Sequence, residues 1–97
     1  MGKYNINQIV FDIWLALIFL AIALPISVAE RSLLIMGGIF ILAMECMNTA
    51  IERVVDDISE DKRDLAKQAK DTASAAVALS AVAVGSAWIF IILGILR

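Results

Sequence analysis

The sequence contains no histidine, a single cysteine (Cys46) and a single proline (Pro25). Without histidine, the chain lacks the side chain that most often serves as a general base and as a metal ligand near neutral pH. One cysteine cannot build an internal disulfide framework or a zinc site with several cysteine ligands. Five glycines and one proline are also too few for a collagen-like or low-complexity chain. These absences exclude disulfide-rich folds, zinc proteins and histidine-dependent catalysis.

The chain also lacks a strong excess of charge, since 8 Lys and Arg residues nearly balance 10 Asp and Glu residues. Nucleic-acid-binding domains usually carry a basic surface, so we expect no nucleic-acid partner. Hydrophobic residues make up 62% of the chain, against roughly 45–50% in an average soluble domain. A soluble domain of this size would leave too much of that apolar surface in water. The composition therefore predicts a membrane protein, and the first residues, MGKYNINQ, do not resemble a signal peptide.

Three apolar stretches predict three transmembrane helices within a single domain that spans residues 1–97. Their predicted bounds are about 9–29, 32–55 and 71–96. Glu30 and Arg31 mark the first turn, and residues 56–70 form a charged hinge between the second and third helices. Basic residues are concentrated in that hinge, so the positive-inside rule places the hinge and the N-terminus in the cytoplasm and the C-terminus outside. The predicted fold class is an all-α membrane protein.

A polar stripe interrupts the second apolar stretch. Its members are spaced three, four and four residues apart, which places them on one face of a helix: Glu45, Asn48, Glu52 and Asp56. Charged groups at this depth cost roughly 2.5–3.5 kcal/mol each on insertion scales, so they normally face protein or a water-filled cavity. Either a hard divalent cation or salt bridges would relieve their mutual repulsion. The basic partners available for salt bridges are Arg53, Lys67 and Lys70. We favour the cation, because three acids outnumber the one base within that helix.

A second polar cluster lies at the start of the third predicted helix, on the same cytoplasmic side of the membrane. It consists of Lys70, Asp71 and Ser74. Alone, it is typical of a helix cap with a lysine that reaches the membrane surface. Beside the acidic stripe, it completes a set of groups suited to phosphoryl transfer: carboxylates for Mg²⁺, a lysine for phosphate and a buried acid that can take a proton. No glycine-rich phosphate loop is present, which excludes a P-loop enzyme. Three helices enclose such a stripe poorly, so we expect an oligomer with sites at subunit boundaries.

Two segments closely resemble the small prokaryotic diacylglycerol kinase family. They read E-C-M-N-T-A-I-E-R-V-V-D at 45–56 and A-K-D-T-A-S-A-A-V at 69–77, and the resemblance extends over about 31–79. It implies a homotrimeric helical bundle with three transmembrane helices per subunit, in the bacterial inner (cytoplasmic) membrane, with active sites shared on the cytoplasmic side. It also implies an ATP-dependent lipid kinase, which transfers the γ-phosphate of MgATP to diacylglycerol and gives phosphatidate. In a sister branch of the family the acceptor is undecaprenol.

By motif position, the resemblance implies that Glu45 takes the proton from the lipid hydroxyl, that Asn48 orients the reacting groups and that Glu52 binds Mg²⁺. The implied nucleotide-binding residues are Asp56, Asp61, Lys70 and Asp71, and Ser74 lies near the lipid substrate. The family's first acidic motif, which contributes to the metal site, has no counterpart here, because Tyr4 stands where its acid is expected. A shifted register would offer Asn5, Asn7 or Asp12 instead.

Two other hypotheses remain open from the sequence. One is a non-catalytic, holin-like membrane assembly in which the polar stripe lines a water-filled path. The other is a kinase-like scaffold that binds nucleotide without turnover because its metal site is incomplete.

Overall fold

The structure, a computed structural model, describes residues 6–58 and 64–97, and these residues include three helices. The helices are α1 (Ile6–Ala23), α2 (Val28–Ile58) and α3 (Asp64–Leu96). By length and hydropathy, α2 and α3 can each cross a membrane, whereas the apolar helical stretch Gln8–Ala23 is shorter. The prediction of an all-helical protein is confirmed for the described residues.

Helix α2 packs against both α1 and α3 and so forms the centre of the molecule. The overall extents of 53 × 32 × 17 Å correspond to a flat layer rather than a round bundle. The buried residues of α2 recur at steps of four and three, which is the spacing of one helix face: Leu34, Gly38, Ile41, Glu45 and Asn48. The polar residues Glu45 and Asn48 therefore continue the same packed face that begins with apolar residues.

An apolar core lies near the turn between α1 and α2. It contains one buried residue from each helix, Ala21, Leu34 and Ile91. Together these residues bury apolar surface between the three helices and stabilise their packing at this end. The polar half of α2 lies toward the opposite end.

Two consecutive glycines allow both neighbours to approach α2 closely. A Cβ atom at Gly38 would overlap the side chain of Ile18 in α1, and one at Gly37 would lie 3.0 Å from Val84 Cγ2 in α3. Small residues at helix contacts are typical of membrane proteins, where close backbone approach replaces the hydrophobic effect as a source of affinity. Gly38 therefore permits close packing of α1 on α2, and Gly37 permits close packing of α3 on α2.

The first turn differs in position from the sequence prediction. Helix α1 ends at Ala23, before the segment that contains Pro25, because a residue that precedes proline disfavours the helical conformation. Ser27 then caps α2: the Glu30 backbone N–H donates to Ser27 Oγ at 3.1 Å, and the Ser27 N–H donates to Glu30 Oε1 at 2.9 Å. This reciprocal pair is a capping box. Glu30 therefore lies in the first turn of α2, not in the connection.

Arg31, also expected in the turn, closes the C-terminal end of α1. Its guanidinium donates four hydrogen bonds of 2.7–3.2 Å to backbone carbonyl oxygens, those of Ala21, Ile22, Leu24 and Ile26. The last carbonyl groups of a helix have no partner within the helix, and leaving them unpaired is costly away from water. Arg31 satisfies this requirement from the neighbouring helix.

The predicted charged hinge is helical wherever the structure describes it. Helix α2 continues to Ile58 and α3 begins at Asp64, so much of the expected connection extends the two helices. Lys67 and Asp71, one turn apart, form an exposed ion pair of 3.0 Å that supports this helical segment. Asp61, predicted to contact the nucleotide, lies outside the described residues.

Candidate functional site

An open cleft of about 640 Å³ lies between the N-terminal part of α1 and the polar half of α2. Helix α1 contributes Gln8 and Phe11. Helix α2 contributes the remaining wall, which consists of Glu45, Cys46, Thr49, Ala50, Glu52, Arg53 and Asp56. Because these positions recur every three to four residues, a broad face of one continuous helix forms most of the cleft. All three acids of the predicted stripe are therefore brought to one concave surface.

Glu45 is buried, with 6% of its surface exposed, yet it lines the cleft. It forms no ion pair or hydrogen bond with another side chain in the described part of the chain. Its negative charge is close enough to that of Glu52, two helical turns further on, for the two to repel each other. A buried carboxylate without a partner suits two roles, as a proton acceptor or as a ligand for a cation.

Asn48 lies on the same packed face, with 7% of its surface exposed, but it does not line the cleft. Its Oδ1 atom is buried and accepts no hydrogen bond from any described residue. Leaving a buried acceptor unsatisfied costs about 1–3 kcal/mol. The amide oxygen can therefore accept a hydrogen bond from a donor that the described residues do not supply.

Asp56 differs from the other two acids because it has a basic partner. The Lys70 ammonium donates to Asp56 Oδ1 at 2.8 Å and joins the end of α2 to the start of α3. Lys70 precedes the apolar part of α3, and its pKa is raised mainly by the Asp56 hydrogen bond, then by the Asp56 charge and more weakly by Glu52. Both members are substantially exposed, so the pair positions these side chains more than it stabilises the fold.

The remaining predicted residues lie on the surface of α3. Asp71 forms an ion pair with Lys67, and Ser74 is exposed. Neither lines the cleft, and Lys70 is joined to it by its ion pair with Asp56. The single chain therefore brings Glu45, Glu52 and Asp56 together and leaves Asp71 and Ser74 outside the cleft.

Within residues 6–58 and 64–97, no group of three His, Cys, Asp or Glu side chains is arranged to hold a metal ion. A cage made only of protein ligands is therefore not present in this part of the chain. Mg²⁺ often uses one or two carboxylates together with water and substrate phosphates. Glu45 and Glu52 line the cleft and form no ion pair with another described residue, so either carboxylate fits that second mode of binding.

Of the N-terminal candidates for the acidic position, the structure describes the side chain of Asp12. Asp12 is exposed, accepts a hydrogen bond of 3.0 Å from Gln8 Nε2, and does not line the cleft. Tyr4, Asn5 and the Asn7 side chain lie outside the described residues. Among the described side chains of α1, Gln8 is the polar group that lines the cleft.

Several side chains that line the cleft were not predicted from the sequence to be site residues. They include Gln8, Phe11, Cys46, Thr49 and Arg53. For the three on α2, a signal was present, since each lies within one turn of a stripe residue. For Gln8 and Phe11 no such signal exists, because their contribution depends on how α1 packs against α2.

The prokaryotic diacylglycerol kinase family matches residues 5–92, nearly the whole chain. The chain belongs to this family of lipid kinases. The diacylglycerol kinase of Pseudomonas aeruginosa is 38% identical over 93 residues, which cover 96% of this chain and 75% of that protein. The diacylglycerol kinase of Escherichia coli is 34% identical over 71 residues, 73% of this chain and 58% of that protein. The family resemblance seen in the two sequence segments is thereby confirmed.

A relative whose name gives a different lipid substrate also matches the chain. The undecaprenol kinase of Bacillus subtilis is 49% identical over 49 residues, which cover 50% of this chain and 38% of that protein. Depending on the relative, the chain therefore spans from 38% to 75% of the length of these prokaryotic diacylglycerol kinase family members.

Proposed function

We propose that this protein transfers the γ-phosphate of MgATP to the hydroxyl group of diacylglycerol and produces phosphatidate. The observation that carries the proposal is Glu45, a buried acid without a described partner that opens onto a cleft also lined by Glu52. Membership of the prokaryotic diacylglycerol kinase family supplies the reaction class.

In the proposed reaction, the lipid hydroxyl oxygen attacks the γ-phosphorus. The new oxygen–phosphorus bond forms as the bond to the oxygen bridging the β- and γ-phosphates breaks, and ADP leaves. The hydroxyl proton passes to the Glu45 carboxylate, which is largely buried on the cleft wall. Asn48 does not line the cleft, so its buried amide oxygen would help to orient the reacting groups by accepting a hydrogen bond from a neighbouring group.

Glu52 would hold Mg²⁺ together with water and the nucleotide phosphates. The bound metal would neutralise charge on the phosphates during transfer. Asp56 and Lys70, held together by their ion pair, would position the nucleotide from the edge of the cleft. Asp61, Asp71 and Ser74 are further proposed contacts, the first two for the nucleotide and Ser74 for the lipid.

We also propose that three subunits assemble into a homotrimer in the bacterial inner membrane, with N-terminus and active site in the cytoplasm and C-terminus outside. A flat, three-helix layer leaves the cleft open and leaves Asp71 and Ser74 exposed on another face. A neighbouring subunit would bring such separate groups to one site and cover apolar surface on α3. The large exposed apolar residues of α3 include Leu79, Val82, Ile89, Phe90 and Leu93.

Diacylglycerol is the preferred acceptor because the Pseudomonas relative matches along 96% of the chain. Undecaprenol is the second candidate, favoured by the higher identity of the Bacillus relative over half of the chain.

The test is a panel of lipid acceptors with the detergent-solubilised protein and MgATP, with Mg²⁺ present and chelated. We expect Mg²⁺-dependent phosphatidate formation, with diacylglycerol preferred to undecaprenol. Preferential phosphorylation of undecaprenol would reassign the substrate. Binding of MgATP without any lipid product would overturn the kinase proposal in favour of a scaffold, and liposome leakage without ATP would favour a pore.

A further inference from the structure

Arg53 is the one basic side chain that lines the cleft in the described part of the chain. It lies one residue after Glu52 and one turn before Asp56, on the wall that also carries Glu45. The side chain is exposed, so its guanidinium is open to a ligand that enters from solvent.

The guanidinium is also unpaired among the described residues. Arg53 forms no hydrogen bond or ion pair there, although Asp56 and Asp57 lie three and four residues further along the same helix. The carboxylate of Asp56 is instead engaged by Lys70. A planar group with five donors therefore stands at the cleft without an acceptor.

The charges of the cleft wall separate into two unmatched sets. Among the described residues, Glu45 and Glu52 form no ion pair with a base and Arg53 forms none with an acid, although all three line the same cleft. A purely structural network would pair these groups with one another. A ligand that carries both a divalent cation and a phosphate group would match both sets at once. Arginine suits the phosphate part, since its forked donors can bind two phosphate oxygens together.

We propose that the Arg53 guanidinium binds a phosphate group in the cleft, next to the cation that Glu52 would hold. The proposal rests on the proposed function and extends it by one ligand-binding residue. The phosphate belongs either to the bound nucleotide or to the phosphorylated lipid product, and the two sources require separate measurements.

The test compares the wild-type protein with Arg53→Gln and Arg53→Lys in a maltoside detergent, which carries no competing phosphate. The control is Arg97→Gln, which removes the same charge at the far end of α3. One measurement is the dissociation constant of MgATP by calorimetry, and the other is the inhibition constant of phosphatidate. Circular dichroism and the unfolding temperature establish that each variant is folded, which we expect because Arg53 is exposed.

For Arg53→Gln we expect affinity to fall about tenfold or more for one of the two ligands, the loss typical of a hydrogen bond to a charged group. Weaker MgATP binding assigns the nucleotide phosphate, and weaker phosphatidate inhibition assigns the lipid product. Arg53→Lys should recover part of the loss, because the charge remains while the forked geometry is lost. Arg97→Gln should match the wild type.

Unchanged affinity of folded Arg53→Gln for both ligands would overturn the proposal. So would an equal loss in Arg97→Gln, because the effect would then reflect net charge alone. If wild-type protein bound MgATP in an Arg53-dependent manner but formed no lipid product, the kinase proposal would fail while the role of Arg53 would stand.

Discussion

At the scale of single residues, the central feature is that three acids on one helix face differ in their ion pairing. Asp56 is neutralised by Lys70, whereas Glu45 and Glu52 face the cleft without a described ion pair. The sequence predicted the shared face from spacing alone. It could not predict which base would pair with which acid, because Arg53, Lys67 and Lys70 were all within reach by sequence. The packing of α3 against α2 selects Lys70 and leaves Arg53 without a described partner.

Glu45→Gln should abolish most of the lipid phosphorylation, with a decrease of about 10²–10⁴-fold in turnover, which is the usual contribution of a general base. The amide retains the shape of the side chain but cannot take the hydroxyl proton. The measurement is the initial rate of phosphatidate formation at saturating MgATP and diacylglycerol. Asp57→Asn is the matched control, since Asp57 is exposed and does not line the cleft. Wild-type turnover in Glu45→Gln would show that Glu45 is not the base.

Asn48→Leu should separate stability from function. Removing an unsatisfied buried oxygen should leave the free energy of unfolding unchanged or increase it by up to about 1–3 kcal/mol. Turnover should fall, because the amide that orients the reacting groups is gone. The two readouts are the unfolding transition in detergent and the initial rate. A large decrease in stability would instead indicate that the amide is satisfied within the folded protein.

At the scale of helices, the number of helices was predictable and their ends were less so. Three apolar stretches are separated by polar residues, so three helices follow directly from the hydropathy pattern. The sequence interpretation placed the first turn at Glu30 and Arg31 because charge usually marks a membrane surface. Here Glu30 completes a capping box with Ser27, and Arg31 binds the carbonyl groups at the end of α1. The spacing of Ser27 and Glu30 was a readable cap signal, but the role of Arg31 depends on tertiary contact.

Gly38→Ala should destabilise the packing of α1 against α2, because the added methyl group would overlap Ile18. Forcing an extra carbon into a tight contact typically costs about 1–3 kcal/mol. The control is Gly94→Ala in α3, where no atom lies within 4 Å of the new Cβ. This control should be neutral or slightly stabilising, since alanine favours helix over glycine. The measurement is the unfolding transition of each variant in the same detergent. Equal stabilities for the two variants would contradict the close contact.

At the scale of the whole molecule, the flat arrangement explains why two of the predicted site residues lie outside the cleft. Helix α2 lies between its neighbours, so one side faces the cleft with Glu45 and Glu52, and the other meets α3. Asp71 and Ser74 lie on the surface of α3 and outside the cleft. The family resemblance predicted the identity of these residues, but the sequence alone could not predict their separation within one subunit. The proposed trimer would bring the α3 residues of one subunit to the cleft of another.

The most direct test of the account is the Mg²⁺ dependence of phosphate transfer to diacylglycerol. Initial rates are measured at fixed ATP over a range of free Mg²⁺ concentrations for the wild type, Glu52→Gln and the control Asp57→Asn. If Glu52 is a ligand of the nucleotide-bound metal, Glu52→Gln should need at least about tenfold more Mg²⁺ for half-maximal rate, as for loss of a charged contact. Asp57→Asn should follow the wild-type curve. Identical curves for Glu52→Gln and the wild type would contradict the claim that Glu52 holds the metal.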